Sequence, residues 1–127
     1  MRTLWNEIFK IKLANTNDVM AKHEVIKLLI VKNLIKKHGR KWIRIYTEFP
    51  AVEGKLTDVY FENTKTKEAY AFEIQRNISK KWLQETHDKY EDWEASMMDT
   101  SDWILMDTKK LSNNINELNQ QIKELIP

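Results

Sequence analysis

The sequence predicts an α/β protein, in which helices flank a mixed sheet in the order α-β-β-β-α-β and a further helix ends the chain. Three observations favour this class. A long apolar helical pattern lies near the start, three β-rich runs follow it in close succession, and a helical segment separates them from a fourth strand. Two glycines and two prolines are the only strong breakers in 127 residues, so we expect one domain over residues 1–127.

The first predicted helix runs from Asn17 to His38. Asn17 or Asp18 is a suitable N-cap, and Gly39 stands where a helix-ending glycine belongs. Apolar residues cover more than one stripe of this segment, so we expect the helix to be substantially buried. The preceding residues, 1–15, are compatible with a short helix or with an irregular arm.

Three strands are predicted next. The run over residues 41–49 is rich in β-branched and aromatic residues and is expected to end at Pro50. A second strand covers residues 54–62, and the polar stretch 63–68 reads as a hairpin turn. The third strand, 69–75, should therefore pair with the second in antiparallel fashion.

Two helices and one strand complete the prediction. A helix over 79–97, with Ser79 as N-cap, leads to a strand over 102–108 whose compact apolar centre predicts a central place in the sheet. A last helix over 110–126 carries one apolar seam formed by Leu111, Ile115, Leu118, Ile122 and Leu125. We expect this seam to pack on the domain, and a homodimer contact is the alternative.

The composition excludes several classes of protein. No apolar run reaches the roughly 18 residues of a membrane span, and the start lacks the features of a signal peptide. We therefore expect no membrane partner and a cytoplasmic location, in the host cell if the protein is viral. The absence of cysteine excludes disulfides and thiolate metal sites. Low Gly and Pro content with many Lys, Glu and Ile favours a thermophilic or mobile-element source.

Charge is unevenly distributed along the chain, although the net charge is only +2. Residues 1–44 contain eleven Lys or Arg and three Asp or Glu, whereas residues 45–108 contain seven and fourteen. This asymmetry is typical of a basic surface beside an acidic pocket, as expected where a polyanion meets a metal site. Separate solvated faces would produce the same distribution.

Polar side chains interrupt two of the predicted strands. Alternation in "EAYAFEIQ" places Glu73 and Gln75 on one face, and Asp58 lies inside the preceding strand on the face of Leu56 and Tyr60. Because these strands are expected to be neighbours, the two carboxylates should lie close together. Burying them unpaired costs several kcal/mol each, so a cation must compensate, either an arginine or a divalent metal.

Asp58 followed by Glu73-Ile74-Gln75 on adjacent strands resembles the PD-(D/E)XK nuclease superfamily. Its restriction-endonuclease-like core has the order α-β-β-β-α-β, and the resemblance covers roughly residues 17–108, leaving the last helix outside. The E-x-Q variant is similar to that of CoiA-like nucleases, and RecB-like nucleases and archaeal Holliday-junction resolvases share the core. Two positions depart from the pattern, since Thr57 replaces the motif proline and Gln75 replaces the motif lysine.

The resemblance implies metal-dependent hydrolysis of DNA phosphodiester bonds, with structure-specific cleavage as one form. Asp58, Glu73 and the backbone carbonyl of Ile74 would bind Mg²⁺ or Mn²⁺, and no small-molecule cofactor is implied. Gln75 would orient the attacking water, but it lacks the charge of the motif lysine.

Further residues are candidates by the same resemblance. Glu24 would face the metal site from the first helix, because it stands in an otherwise apolar row formed by Met20, Leu28 and Val31. Glu48, at the end of the first strand, is another candidate. On the second helix, Gln84 and Tyr90 are similar to the Gln and Tyr that follow the motif in RecB-like members, although the spacing differs.

Basic residues are expected to contact DNA phosphates without reading sequence. These residues are Lys22, Lys36, Lys37, Arg40, Lys41, Arg44, Lys55, Arg76, Lys80 and Lys81. Lys55, Lys80 and Lys81 are also candidates for the missing motif charge. Two other classes stay open: a nucleic-acid-binding protein that keeps the fold without catalysis, and a protein-interaction module built on the last helix.

Overall fold

The computed structural model describes residues 18–127, and it confirms the α/β class and the predicted order of elements. The arm or helix predicted over residues 1–15, and the cap at Asn17, lie outside this range. The elements are α1 (Asp18–His38), β1 (Ile43–Val52), β2 (Lys55–Asn63), β3 (Glu68–Gln75), α2 (Lys80–Tyr90), β4 (Thr100–Asp107) and α3 (Ile115–Leu125). Within the described range, none of the helices has the length and apolar character needed to span a membrane.

The four strands form one mixed sheet in the order β1-β2-β3-β4. β2 pairs antiparallel with β1 and with β3, and β4 runs parallel to β3. Among the strands of residues 18–127, β4 lies at the edge of the sheet, so the prediction that it is central is wrong. The apolar residues of β4 reflect packing against the faces of the strand, as for the fully buried Met106. Such residues do not indicate whether another strand pairs with the outer edge of β4.

Two element boundaries also differ from the prediction. β1 continues through Pro50 to Val52, because an edge strand tolerates a residue that lacks an N–H. α2 begins at its predicted N-cap, where the Ser79 Oγ accepts the Trp82 N–H, but it ends at Tyr90 rather than near residue 97. The segment that follows α2 turns across the sheet, and the Trp93 Nε1–H donates to the Ala51 carbonyl (3.1 Å).

α1 packs along one face of the sheet and ends where the sequence predicts. Gly39 has a left-handed φ of 72°, and its N–H closes the helix on the Ile35 carbonyl (2.8 Å). The expected extensive burial is confirmed. The main core joins α1 to the apolar residues of the sheet and consists chiefly of Val25, Ile26, Ile30, Leu34, Val59, Phe61, Phe72, Ile74 and Met106.

α3 is shorter than predicted and packs against α1. Leu118 and Ile122 are fully buried in the main core, together with Leu111, whereas Leu125 is about half exposed. The expectation that the seam packs on the domain is thus confirmed for its central residues. The same residues are not free to form the homodimer contact considered as the alternative.

β1 and β2 both lose their alternation at the facing residues Glu48 and Asp58. Glu48 has a left-handed φ of 48°, a conformation that non-glycine residues rarely adopt. The rings of Tyr46 and Phe49 stack with centroids 4.9 Å apart, although a spacing of three would place them on opposite faces of a regular strand. This break turns the Asp58 carboxylate toward α1, while Tyr60 stays on the opposite face with the stacked rings.

Candidate active site

Asp58 lies where the pairing between β2 and β3 ends. The Ile74 N–H donates to Asp58 Oδ2 (2.8 Å), so the carboxylate takes the place of a backbone acceptor. The next carbonyl along β3, that of Gln75, accepts from Thr108 on the β4 side. Because both backbone groups of one strand residue face the same neighbour, the Ile74 carbonyl is directed toward β2. Asp58 and the Ile74 carbonyl therefore face one gap between the strands.

His23 of α1 is the second partner of Asp58, with 3.7 Å between its Nε2 and Asp58 Oδ2. Burial by itself raises the pKa of the Asp58 carboxyl, but His23 and the Ile74 N–H outweigh it and hold that pKa below its ordinary value. In return, the Asp58 carboxylate raises the pKa of His23 against the opposing effect of burial. The sequence did not single out His23, because a lone histidine on a helix carries no pattern.

The His23–Asp58 pair predicts a pH dependence of stability. The raised pKa of His23 stabilises the fold fully below its ordinary pKa of 6.5, and this contribution is lost as the pH rises through the folded-state pKa. The lowered pKa of Asp58 acts in the opposite sense, and its contribution is lost only as the pH falls well below 3.8.

We therefore expect the free energy of unfolding of wild type to fall relative to that of His23→Gln as the pH rises from about 5.5 to about 8. Urea denaturation of both proteins across this range measures the difference in free energy of unfolding. A free-energy difference between the two proteins that does not change with pH would contradict the pairing of His23 with Asp58.

Glu73 is buried on the other side of the sheet, against α2. Its Oε1 accepts from Lys89 Nζ (2.5 Å) and from the Tyr90 hydroxyl (2.5 Å). Lys89 also donates to the Leu56 carbonyl (2.6 Å), and the Tyr90 hydroxyl shares a hydrogen bond with Thr57 Oγ1 (2.8 Å). Burial, followed by the Glu73 carboxylate, raises the pKa of Tyr90, which stays a donor. The cation required for burial of Glu73 is thus a lysine, where the sequence suggested an arginine or a metal.

In the register of β2 and β3, Asp58 and Glu73 are the next facing pair after Val59 and Phe72. Their side chains nevertheless turn to different helices, Asp58 to α1 and Glu73 to α2. The predicted sharing of one face by Asp58 and Tyr60 is wrong, because the break in alternation turns Asp58 toward α1 while Tyr60 stays on the opposite face. The resemblance had also pointed to Gln84 and Tyr90. Tyr90 does reach Glu73, whereas the Gln84 amide bonds to Asp88 on the helix surface.

A cavity of about 370 Å³ opens between the first turns of α1 and the end of β3. Gln75 lines this cavity and donates to the Asn77 carbonyl (3.2 Å). Gln75 therefore lies beside α1 and not with Glu73 against α2, contrary to the predicted common face, because β3 ends at this residue. The other lining residues are Val19, Met20, His23, Glu24, Ile74, Arg76, Asn77 and Thr108.

Glu24 lies on the exposed side of α1. Met20 and Leu28 of the same row are 53% and 51% exposed, so the reason for singling out Glu24, a carboxylate within a buried apolar face, is wrong. Its Oε2 lies 3.1 Å from Lys27 Nζ. Glu24 lines the cavity but does not contact Asp58 through any hydrogen bond or ion pair in the described structure.

Lys27 is a buried cation that fixes the break in β1. Its Nζ donates to Glu48 Oε1 (2.7 Å), in addition to the contact with Glu24. Burial lowers the pKa of Lys27, but the hydrogen bonds that its ammonium donates to both carboxylates outweigh burial and raise that pKa overall. Glu48 is consequently held against α1 by an ion pair, and the left-handed backbone at Glu48 is stabilised by this contact.

The donor atoms fit a hard divalent cation in kind. Carboxylate oxygens of Asp58 and Glu73 and the Ile74 carbonyl are the ligands that Mg²⁺ prefers, and Mg²⁺ commonly takes only one or two carboxylates from a protein. Among residues 18–127, no group of three or more His, Cys, Asp or Glu lies close enough together to hold a metal. In the structure, His23 lies beside Asp58 and Lys89 beside Glu73.

No family model, curated protein or solved structure matches this chain. The resemblance to the nuclease superfamily therefore stays a prediction. It rests on the order of the elements and on the positions of Asp58, Glu73, Ile74 and Gln75 on β2 and β3.

Lys22 is a structural residue, and its prediction as a phosphate contact is wrong. The side chain is only 8% exposed, and its Nζ donates to the Thr108 carbonyl (2.9 Å), the Leu111 carbonyl (2.7 Å) and Asn113 Oδ1 (2.9 Å). These bonds tie α1 to the segment between β4 and α3. The ammonium thus donates to internal acceptors and is not available to DNA.

Lys22→Met is expected to lower the free energy of unfolding by about 1–3 kcal/mol, because it leaves buried carbonyls without a donor. Lys32→Met, at an exposed position of the same helix, is the matched control and should change stability by no more than about 0.5 kcal/mol. Urea denaturation measures both variants. Equal stability of the two would contradict the buried role of Lys22.

The other predicted phosphate contacts are exposed and form two groups. The remote group (Lys36, Lys37, Arg40, Lys41 and Arg44) lies at the end of α1 and the start of β1. Along the α1 axis, it begins about 20 Å from His23. The near group (Lys55, Arg76, Lys80 and Lys81) lies at the start of β2, the end of β3 and the start of α2. Arg76 lines the cavity beside Gln75.

Proposed function

We propose that this protein is a metal-dependent nuclease of the PD-(D/E)XK type that hydrolyses DNA phosphodiester bonds. The observation that carries the proposal is the hydrogen bond from the Ile74 N–H to the Asp58 carboxylate (2.8 Å). It joins the aspartate of β2 to the centre of the Glu73-Ile74-Gln75 motif on β3. The order of helices and strands is the order that this superfamily uses.

Asp58 and the Ile74 carbonyl, which face one gap between β2 and β3, would hold Mg²⁺ or Mn²⁺. Glu73 would join them by exchanging its present partners, Lys89 and Tyr90 on the α2 side, for the ion. When bound, the ion lowers the pKa of a coordinated water and offsets negative charge on the scissile phosphate. In the structure, Tyr90 and Lys89 hold the Glu73 carboxylate on the α2 side of the sheet.

Lys89 supplies the positive charge that Gln75 lacks. Its ammonium lies on Glu73 and is mostly buried, with 12% of its side chain exposed, so solvent screens its charge only weakly. None of the lysines considered from the sequence, Lys55, Lys80 or Lys81, has such a contact with Glu73 in the structure. Gln75 lines the cavity as a neutral donor and acceptor that orients water, and Arg76 contributes an exposed charge for phosphate.

Cleavage of labelled linear, supercoiled and four-way-junction DNA with Mg²⁺ or Mn²⁺ tests the proposal. Wild type should cut at least one of these substrates, and Asp58→Ala and Glu73→Ala should not. Metal-independent cutting, or cutting that survives both substitutions, would overturn it.

One observation favours a second candidate, a DNA-binding protein that keeps this fold without cleavage. Both carboxylates already have basic side chains beside them, His23 at Asp58 and Lys89 at Glu73, and Gln75 brings no charge to the motif. Such a protein would bind the same DNAs, with and without metal, and would cut none of them.

A further inference from the structure

A second cavity, of about 520 Å³, lies on the sheet face opposite α1, over β1 and β2. We propose that this cavity binds an unpaired nucleobase of single-stranded DNA. The inference rests on the proposed function in that it takes DNA as the ligand. It adds a preference for unpaired strands and a binding site outside the candidate active site.

Three stacked rings form the floor of the cavity. Tyr46 stacks on Phe49 (centroids 4.9 Å apart, planes at 21°), and Phe49 stacks on Tyr60 (4.7 Å, 19°). The break at Glu48 creates this stack, because it brings Phe49 to the face that Tyr46 and Tyr60 share. The planes of the three rings lie within 22° of one another, and together the rings form an aromatic platform. Such a platform suits stacking by a planar ligand, whereas a quaternary ammonium ligand requires an enclosing cage of rings.

Within the described residues, 18–127, the platform stays partly open. Tyr46 is 45% exposed, whereas Tyr60, whose ring centroid lies 6.3 Å from that of Tyr46, is almost fully buried. An aromatic ring that only filled a core would be covered by neighbouring side chains. Tyr46 instead keeps nearly half of its surface accessible at the cavity, and a nucleobase stacks on an accessible aromatic ring whatever the identity of the base.

The cavity also carries a buried acceptor for the edge of a base. Glu62 is 9% exposed, and its Oε2 accepts from the Tyr60 hydroxyl (2.6 Å). Its Oε1 lies 3.6 Å from Arg44 Nη1, which is longer than a hydrogen bond. This oxygen can accept an N–H from the Watson–Crick edge of a base, an edge that is available only in an unpaired strand.

The cavity lies next to the residues that hold Glu73. Arg44, at the rim, is largely exposed and can contact the phosphate of the bound nucleotide, whereas Glu94, also at the rim, disfavours phosphate on its own side. Trp93 lines the cavity and lies 5.4 Å from the ring of Tyr90, which holds Glu73. A single strand whose base occupies the cavity therefore lies beside the residues that hold Glu73.

Fluorescence anisotropy of a fluorescein-labelled 20-nucleotide single strand, in EDTA so that no cleavage occurs, tests the inference. A hairpin duplex of the same strand length is the comparison substrate. Wild type should bind the single strand more tightly than the duplex. Tyr46→Ala should weaken single-strand binding by about 5- to 150-fold and leave duplex binding within about twofold.

Two control variants accompany this measurement. Tyr46→Phe keeps the ring and should bind as wild type does. Leu28→Ala removes an equally exposed side chain from α1, outside the cavity, and should also bind as wild type does. Thermal unfolding of each variant confirms that the fold is intact.

Each outcome bears on one proposal separately. Single-strand binding by Tyr46→Ala equal to that of wild type, or equal affinity of wild type for both substrates, would overturn the cavity assignment even if DNA is cleaved. Conversely, binding that depends on Tyr46 without any metal-dependent cleavage would support the cavity and overturn the nuclease.

Discussion

Glu73→Gln is expected to reduce metal-dependent DNA cleavage by at least about 10³-fold. The substitution removes the charge of one of the two carboxylates that would hold the metal, and metal stabilisation of the transition state is worth several kcal/mol. The glutamine keeps the shape of the side chain and an acceptor oxygen for the Tyr90 hydroxyl. The loss should therefore appear mainly in kcat, measured with supercoiled plasmid under saturating Mg²⁺ or Mn²⁺.

Glu68→Gln is the matched control for this substitution. Glu68 lies on the same strand, β3, and accepts from the Tyr70 hydroxyl (3.3 Å) far from the β2–β3 gap. Its replacement should leave kcat unchanged. If Glu73→Gln retained wild-type kcat, Glu73 would have no role at the reacting phosphate, and its contact with Lys89 would be purely structural.

Lys89→Gln is expected to reduce kcat by about 10²- to 10³-fold, the loss typical of removing one preorganised donor from a developing charge. The KM for DNA should change little, because Lys89 is buried beside Glu73 and is not one of the exposed phosphate contacts. Metal binding should be retained or become tighter, because the variant removes a cation that competes for Glu73. A purely structural lysine would give no such separation between cleavage and metal binding.

Gln75→Lys in the Lys89→Gln background tests directly whether a lysine at the motif position can replace the positive charge of Lys89. This double variant restores a lysine at the motif position, and we expect it to recover at least part of the lost kcat. Lys65→Gln, in the exposed turn between β2 and β3, is the control for removal of a lysine and should behave as wild type. Higher kcat in Lys89→Gln than in wild type would mean that the ion pair blocks the site, contrary to the role proposed for Lys89.

The order of the elements could be predicted because each depends on a local pattern. The apolar periodicity of α1, the glycine at residue 39 and the N-cap at Ser79 are all visible in neighbouring residues. The edge position of β4 was not predictable in the same way. Its apolar residues are partly or fully buried by packing on the faces of the strand, and this burial does not depend on a further strand at the outer edge.

The sequence correctly placed Asp58 and Glu73 on neighbouring strands, but it did not predict the directions of their side chains. Alternation places Asp58 and Glu73 on one face of a regular sheet, but the left-handed backbone at Glu48 breaks that alternation. The break is stabilised by an ion pair between Glu48 and Lys27, two residues 21 positions apart in sequence. Lys89 was missed for a similar reason, since its contact with Glu73 depends on where α2 ends.

Calorimetric titration of the wild-type protein with Mn²⁺, beside Asp58→Asn and Glu73→Gln, tests most directly whether these two carboxylates form one metal site. The account predicts a single site in wild type and affinity reduced by at least about tenfold in each variant. Wild type that binds no ion, or variants that bind Mn²⁺ as tightly as wild type does, would contradict it.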